Sequence, residues 1–281
     1  MKAPVSRSKS ADPTPFTLPP YHQPMKRINP QTLPLWQFDQ LAAEPGIRHF
    51  VSERSTPNEE EFTLSYSSSP DREAVRSNRR QLAVALGLAE DRLYFPSQVH
   101  QTRIVAVSSQ TTAAELQETD ALITQERGIG LAVLSADCVP ILLYDRRHGA
   151  VGAVHSGWRG TVARILEKTL LEMQARFGTR GEDLLAGIGP SVCQEAYEVG
   201  QEVVQAVEEA FGSQSRLLLL PQPDEKARLD LWKANVLQLE AFGVPQQQIE
   251  LAKLCTVQNN ARFSRPAREI ADRFAAGIQL R

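Results

Sequence analysis

Cysteine, net charge and long apolar runs are what this 281-residue sequence has least of. Its three cysteines, Cys138, Cys193 and Cys255, are odd in number and widely spaced. That argues against a disulfide scaffold and leaves metal ligation, catalysis or burial as their roles. Lys and Arg number 31 against 33 Asp and Glu, so the formal charge is −2 and no global basic field recruits nucleic acid. The apolar runs, such as Leu217 to Leu220, fall far short of the roughly 18 to 20 residues of a membrane span. Lys2, Arg7 and Lys9 are not followed by the apolar core of a secretory signal, so the expected compartment is the cytoplasm. What is present, 42% hydrophobic and 23% charged residues, fits a globular protein with one large domain or two small ones.

Half of the 18 prolines fall in the first 45 residues, beside Ser6, Ser8, Ser10 and Thr14 and without a sustained hydrophobic period. Residues 1–32 therefore read as a flexible leader and 33–281 as one folded domain. Glu73 to Leu88 repeats apolar residues at helical spacing, as does Thr161 to Phe177, which stops at Gly178. Gln201 to Phe211 and Leu229 to Phe242 are two further helices, each ending at a glycine. Between and around them run short β-prone segments: Ile47 to Val51, Leu93 to Val99, Arg103 to Val107, Ala121 to Thr124, Gly130 to Ser135, Ile141 to Tyr144, Ala150 to His155 and Leu184 to Ile188. Ile249 to Leu254 closes the expected strand list. Strands and helices mix without a repeat or second linker, which predicts a single layered α/β (α+β) domain, a mixed central β-sheet flanked by helices.

Two dense segments stand out: Ser135-Ala136-Asp137-Cys138-Val139-Pro140 and His155-Ser156-Gly157-Trp158-Arg159-Gly160. A four-residue hairpin loop at Arg146 to Gly149 would pair Asp145 with Ala150 and set His155 opposite Pro140, two positions from Cys138 on the same face. One residue more or less in that loop would separate them. His100, in Pro96-Ser97-Gln98-Val99-His100, is a third candidate. One thiolate and two imidazoles suit a borderline-soft ion such as Zn²⁺, and three protein ligands leave a position for water or substrate. The wide spacing matches no zinc-finger rule, and a buried histidine beside an inert core cysteine is the plainer alternative. Cys193 and Cys255 read as structural, as do His22, His49 and His148, the last in the exposed hairpin turn.

Gln98-Val99-His100, Thr119-Asp120-Ala121, Ser135 to Ile141, His155 to Gly160, Gly189-Pro190 and Tyr197-Glu198-Val199-Gly200 together resemble the signature of the YfiH-type family. Its members are also described as laccase-domain proteins, polyphenol oxidases, peptidoglycan editing factors and purine nucleoside phosphorylases. The resemblance runs from about Phe50 to the C-terminus. It implies a layered fold with the site on the sheet edge and its loops, zinc (or copper) held by His100, Cys138 and His155, and phosphate-dependent cleavage of adenosine, inosine and S-methyl-5′-thioadenosine, with adenosine deamination as a side activity. The implied partners are thus a small purine nucleoside and phosphate, with neither nucleic acid nor membrane. Arg159, just before the Thr161 helix and its N-terminal amides, suits an anion clamp, with Arg54 as a second phosphate contact. Trp158 is a base-stacking surface or a core anchor. Asp137 is the candidate proton donor or ligand support, although strand alternation turns it away from Cys138.

The chain departs from the family pattern at Ser52 to Thr56 and Phe62 to Ser67, where a glycine-rich and Asn-Leu-Gly-type run is usual, and at Phe263 to Arg268 and Ala271 to Arg273. Three rival readings use the same residues. A copper polyphenol oxidase would need more histidines than the five present, and Met25 and Met173 offer no evident axial ligand. A Cys138–His155 thiol hydrolase would leave His100 a bystander. A non-enzymatic peptidoglycan-editing factor with a structural zinc would need a fourth ligand.

Overall fold

The computed structural model describes residues 25–28, 33–55, 61–263 and 273–281. Most of the expected leader, His22 with it, and residues 264–272 of the divergent C-terminal stretch lie outside the described residues. In chain order the described elements begin with β1 (Lys26–Ile28), β2 (Leu35–Gln37), α1 (Asp39–Ala43), β3 (Ile47–Ser52), α2 (Arg72–Ala85), β4 (Leu93–Tyr94), β5 (Ile104–Ala106) and β6 (Ala121–Thr124). The middle of the chain forms β7 (Gly130–Ser135), β8 (Val139–Asp145), β9 (Ala150–Ser156), α3 (Trp158–Val162), α4 (Ile165–Phe177) and β10 (Leu184–Ile188). The remainder forms β11 (Glu198–Val199), α5 (Gln201–Phe211), β12 (Leu219–Pro221), β13 (Ala227–Leu229), α6 (Leu231–Ala241), β14 (Ile249–Leu251) and β15 (Phe274–Leu280).

The fold is a mixed α/β domain, with its strands divided between two six-stranded mixed sheets and a small three-stranded one. The first sheet runs β1-β2-β3-β15-β7-β4 and the second β14-β10-β8-β9-β6-β5. Between them lie Leu122, Leu131, Val133, Leu142, Val151 and Ile278. The far face of the first sheet packs on α2 through Phe50, Leu82, Ala132 and Ala275. The far face of the second packs on the α4, α5 and α6 helices through Ile123, Val154, Leu170 and Leu239. Strands covered on both faces have no solvent side, so every residue of β7, β8 and β9 is buried and their polar residues, Ser135, Asp145, His155 and Ser156, fall at strand ends.

The hairpin register is the expected one: Asp145 pairs with Ala150 and Pro140 with His155. By alternation His155 shares the face of Val151 and Ala153, the one turned to the first sheet. Part of the expected leader belongs to the fold, since Lys26–Ile28 pairs with Leu35–Gln37 and Met25 is buried. Three expectations need correction. Ile249–Leu251 is not the last strand; β15 follows it and fills the gap between β3 and β7. The Thr161–Phe177 helix is two helices, broken where Arg164 takes a left-handed φ of 62°. The hairpin that carries His155 is central in its sheet rather than at an edge, with β10 and β6 flanking it.

Candidate metal centre

Three segments converge at one end of the space between the sheets. His155 comes from β9, and Cys138 from the turn just before β8, where the Ser135 hydroxyl donates to the Cys138 carbonyl. His100 comes from the loop before β5 and adopts a φ of 61°, a left-handed conformation unusual for a side-chain-bearing residue. Asp120, fully buried just ahead of β6, holds that loop. Its carboxylate accepts the backbone N–H groups of Val99 at 3.2 Å, His100 at 3.0 Å and Gln101 at 2.9 Å. The same carboxylate lies 2.8 Å from His155 Nδ1. A carboxylate can only accept, so Nδ1 carries the proton and Nε2 is left for the ligand side.

One ligand atom each from His100, Cys138 and His155 lies within 4.8 Å of the others. The imidazole rings are 4.9 Å apart and nearly perpendicular. Gly157 keeps the space open: a Cβ there would stand 2.8 Å from Cys138 Sγ and 3.2 Å from His100 Cδ2. Burial pushes the Cys138 thiol up, but hydrogen bonds from His100 and His155 outweigh it and hold the thiol down at about 6. Burial alone would lower His155; its bonds to Asp120 and Cys138 raise it to about 9. Burial likewise opposes the Asp120 carboxylate, and the hydrogen bonds from His155, Gln101 and Val99 bring it below its ordinary value. The cluster is electrostatically set to present a thiolate, and two imidazole nitrogens with a thiolate suit a borderline-soft divalent ion. Among the described residues this is the one group of three such donors.

The other expected site residues are distributed differently. Trp158 is half-buried, packs against the core beside α4, and carries the Arg159 guanidinium 4.3 Å above its ring. The expected helix start at Thr161 is instead at Trp158, and that helix has only five residues, too short to add a helix-end field to Arg159. Asp137 and Cys138 precede β8, so strand alternation does not govern them. The Asp137 carboxylate accepts from the Thr256 hydroxyl at 2.6 Å, and its carbonyl accepts the Val192 N–H at 3.0 Å. Arg54 Nε donates to the Asn260 carbonyl at 3.1 Å, which draws it to the loop before Phe263. Asp120 and Tyr197 are residues of the quoted motifs to which sequence reasoning assigns no role; the Tyr197 phenol is pushed up to about 12 by burial and then by the charges of Cys138 and Asp137, against Arg159.

Cys193 and Cys255 are buried as expected, and they are neighbours: the Cys193 N–H points to Cys255 Sγ at 3.3 Å. His148 is not simply exposed, since its ring is tied to Asp145 at 2.9 Å. His49 is buried and its Nε2 accepts the Phe38 N–H at 2.8 Å.

This fold is that of a laccase-like domain. The chain belongs to the family described as multi-copper polyphenol oxidoreductase laccase, whose sequence pattern matches residues 48–281. It is 40% identical over 237 residues to the purine nucleoside phosphorylase of Bacteroides thetaiotaomicron, covering 80% of this chain and 88% of that one. It is 37% identical over 196 residues to adenosine deaminase RL5 of an unknown prokaryotic organism, covering 67% and 74%. Among solved structures, YlmD from Geobacillus stearothermophilus superposes with a TM-score of 0.80 at 28% identity, over 93% of this chain and 98% of that one. The Bacillus licheniformis hypothetical protein YfiH also scores 0.80, at 26% identity over 88% and 96%.

Proposed function

We propose that the chain is a zinc-dependent purine nucleoside phosphorylase with adenosine deamination as a side activity. In phosphorolysis the C1′–N9 bond of adenosine, inosine or S-methyl-5′-thioadenosine breaks. A phosphate oxygen bonds to C1′, and the base leaves with a proton, giving free base and (methylthio)ribose 1-phosphate. The observation that carries this reading is the converging set of His100, Cys138 and His155 with Asp120 behind it, in a chain whose relatives include proteins named for both activities. Bound zinc would supply Lewis acidity and a more acidic bound water.

The chain's own residues supply the rest. Asp120 fixes the tautomer of His155 and the loop of His100 through one carboxylate. Arg159 offers a planar fork of donors to phosphate, and Trp158, covered by that guanidinium, orients the arginine instead of stacking a base. Arg54 is the second cation proposed for phosphate. Asp137, steadied by Thr256, is the group proposed to donate the proton to the leaving base. The copper oxidase suggested by the family description is less well supported, because a multicopper centre needs more ligands than the one group of three found among the described residues.

The test is to incubate metal-quantified protein with adenosine and with inosine, with and without phosphate, beside His100→Ala. Base and ribose 1-phosphate formed only with phosphate, and lost in the variant, are expected. Inosine formed from adenosine without phosphate would make deamination the main activity, and no change in any nucleoside despite one zinc per chain would overturn the assignment.

A further inference from the structure

A cavity of about 440 Å³ opens beside the metal centre and is lined by three arginines, Arg72, Arg79 and Arg273, with Ser65, Ser67 and Gln98 among its polar walls. Among the described residues no Asp or Glu lines it. Arg79 is the informative residue. Its neighbours on α2, Arg76 and Arg80, both pair with Glu90, whereas among the described residues Arg79 meets no carboxylate. Its Nε donates to the Leu64 carbonyl at 2.9 Å, and its guanidinium is sandwiched 4.5 Å from the Tyr66 ring and 4.0 Å from the Phe95 ring. Burial pulls it from its ordinary value down to about 10. A cation taken out of water without a counter-charge is costly, and an entering anion removes that cost. The Arg72 guanidinium stands 4.8 Å from the centroid of the same Tyr66 ring. Arg273 donates to Ser67 Oγ at 2.8 Å and to Ser65 Oγ at 3.4 Å, so guanidinium and hydroxyl donors sit together.

We propose that this cavity is a binding site for a phosphate group, held by Arg72, Arg79 and Arg273 with the hydroxyls of Ser65 and Ser67. Three guanidinium forks with hydroxyls beside them match the several acceptor oxygens of phosphate better than a halide or a single carboxylate. The volume exceeds the needs of orthophosphate and admits a phosphomonoester of a small polar molecule. The site is joined to the metal centre through Gln98. Its side chain is clamped to β7 by bonds of 2.8 and 2.7 Å with Leu134, and His100 is only two residues further on, at most roughly 7 Å along the backbone. The inference stands on cavity chemistry and does not depend on the nucleoside reaction.

The experiment is calorimetric titration of the full, metal-loaded chain with sodium phosphate and with adenosine 5′-monophosphate, at ionic strength matched by chloride. An Arg159→Gln background removes the cation assigned to phosphate above. In that background phosphate is expected to bind one per chain, and adding Arg273→Gln or, separately, the exposed Arg72→Gln should weaken it roughly tenfold or more. The monoester should compete for the same site. Tighter binding of the monoester identifies a nucleotide-type ligand and equal binding identifies free phosphate, both supporting the site. Saturable binding that vanishes with Arg159→Gln alone, or is unchanged by Arg72→Gln and Arg273→Gln, would overturn it. Because the readout is binding, failure of the phosphorolysis assay leaves the result intact.

Discussion

Asp120 is not one of the three candidate ligands, yet two of the three depend on it. It fixes the ring of His155 and, through three backbone N–H groups, the left-handed turn that presents His100. Replacing Asp120 by Asn is therefore expected to weaken metal binding by about 10- to 100-fold, whereas His100→Ala or Cys138→Ala removes a ligand outright. Competition with a graded series of chelators, followed by metal analysis, measures the difference. The meeting of the three donors was legible in the sequence because the hairpin register brings His155 near the Cys138 turn and the motif adds His100. The role of Asp120 was not, since a carboxylate that works through backbone amides leaves no spacing pattern. His49 makes a second case at this scale. Burial lowers its pKa to about 3, so the folded ring stays neutral while the unfolded ring protonates below its ordinary value near 6.5. Stability contributed this way is full above about pH 6.5 and is lost as pH falls toward 3. Unfolding by denaturant should show a loss of about 2 kcal/mol between pH 7 and pH 5, and that contribution should be absent in His49→Gln.

Among the elements, β6, β7, β10 and α5 have the limits expected from the sequence because their apolar runs end at Gly, Asp or a change of period. The strand most important to the first sheet, β15, was missed. Its Phe-Ala-Ala-Gly-Ile run has weak β propensity and no alternation, since both faces are buried and small residues are needed where layers approach. Gly277 shows why: a Cβ there would stand 2.5 Å from the Phe50 ring and 2.6 Å from the Leu131 carbonyl. Gly277→Ala should cost about 1 to 3 kcal/mol, read as a lower denaturant midpoint at an unchanged slope. The break between α3 and α4 was equally hidden, because an arginine in a left-handed conformation carries no marker that a glycine would.

At the level of the molecule, the two sheets and the helices covering them enclose three apolar layers, and the lower limit of the fold in sequence is testable. Met25 is buried, and the Arg27 guanidinium pairs with Glu53, which is only 6% exposed and also accepts from Trp36 Nε1 at 2.9 Å. Deleting residues 1–32 removes that cation from a buried carboxylate and should destabilise the protein by about 2 kcal/mol more than deleting residues 1–24, as a difference between two melting curves. The placement of β15 has a further effect, on the order of events in synthesis. The Ser52 hydroxyl accepts the N–H of Ala275 across 223 positions of sequence, and β3 and β7 meet no common neighbour until that strand exists. A ribosome making this chain therefore exposes a half-built sheet with two unsatisfied inner edges for most of translation. Closure waits on the slow, entropically costly return of distant chain, and during that interval a β15 strand from another nascent copy could occupy the slot as readily as its own.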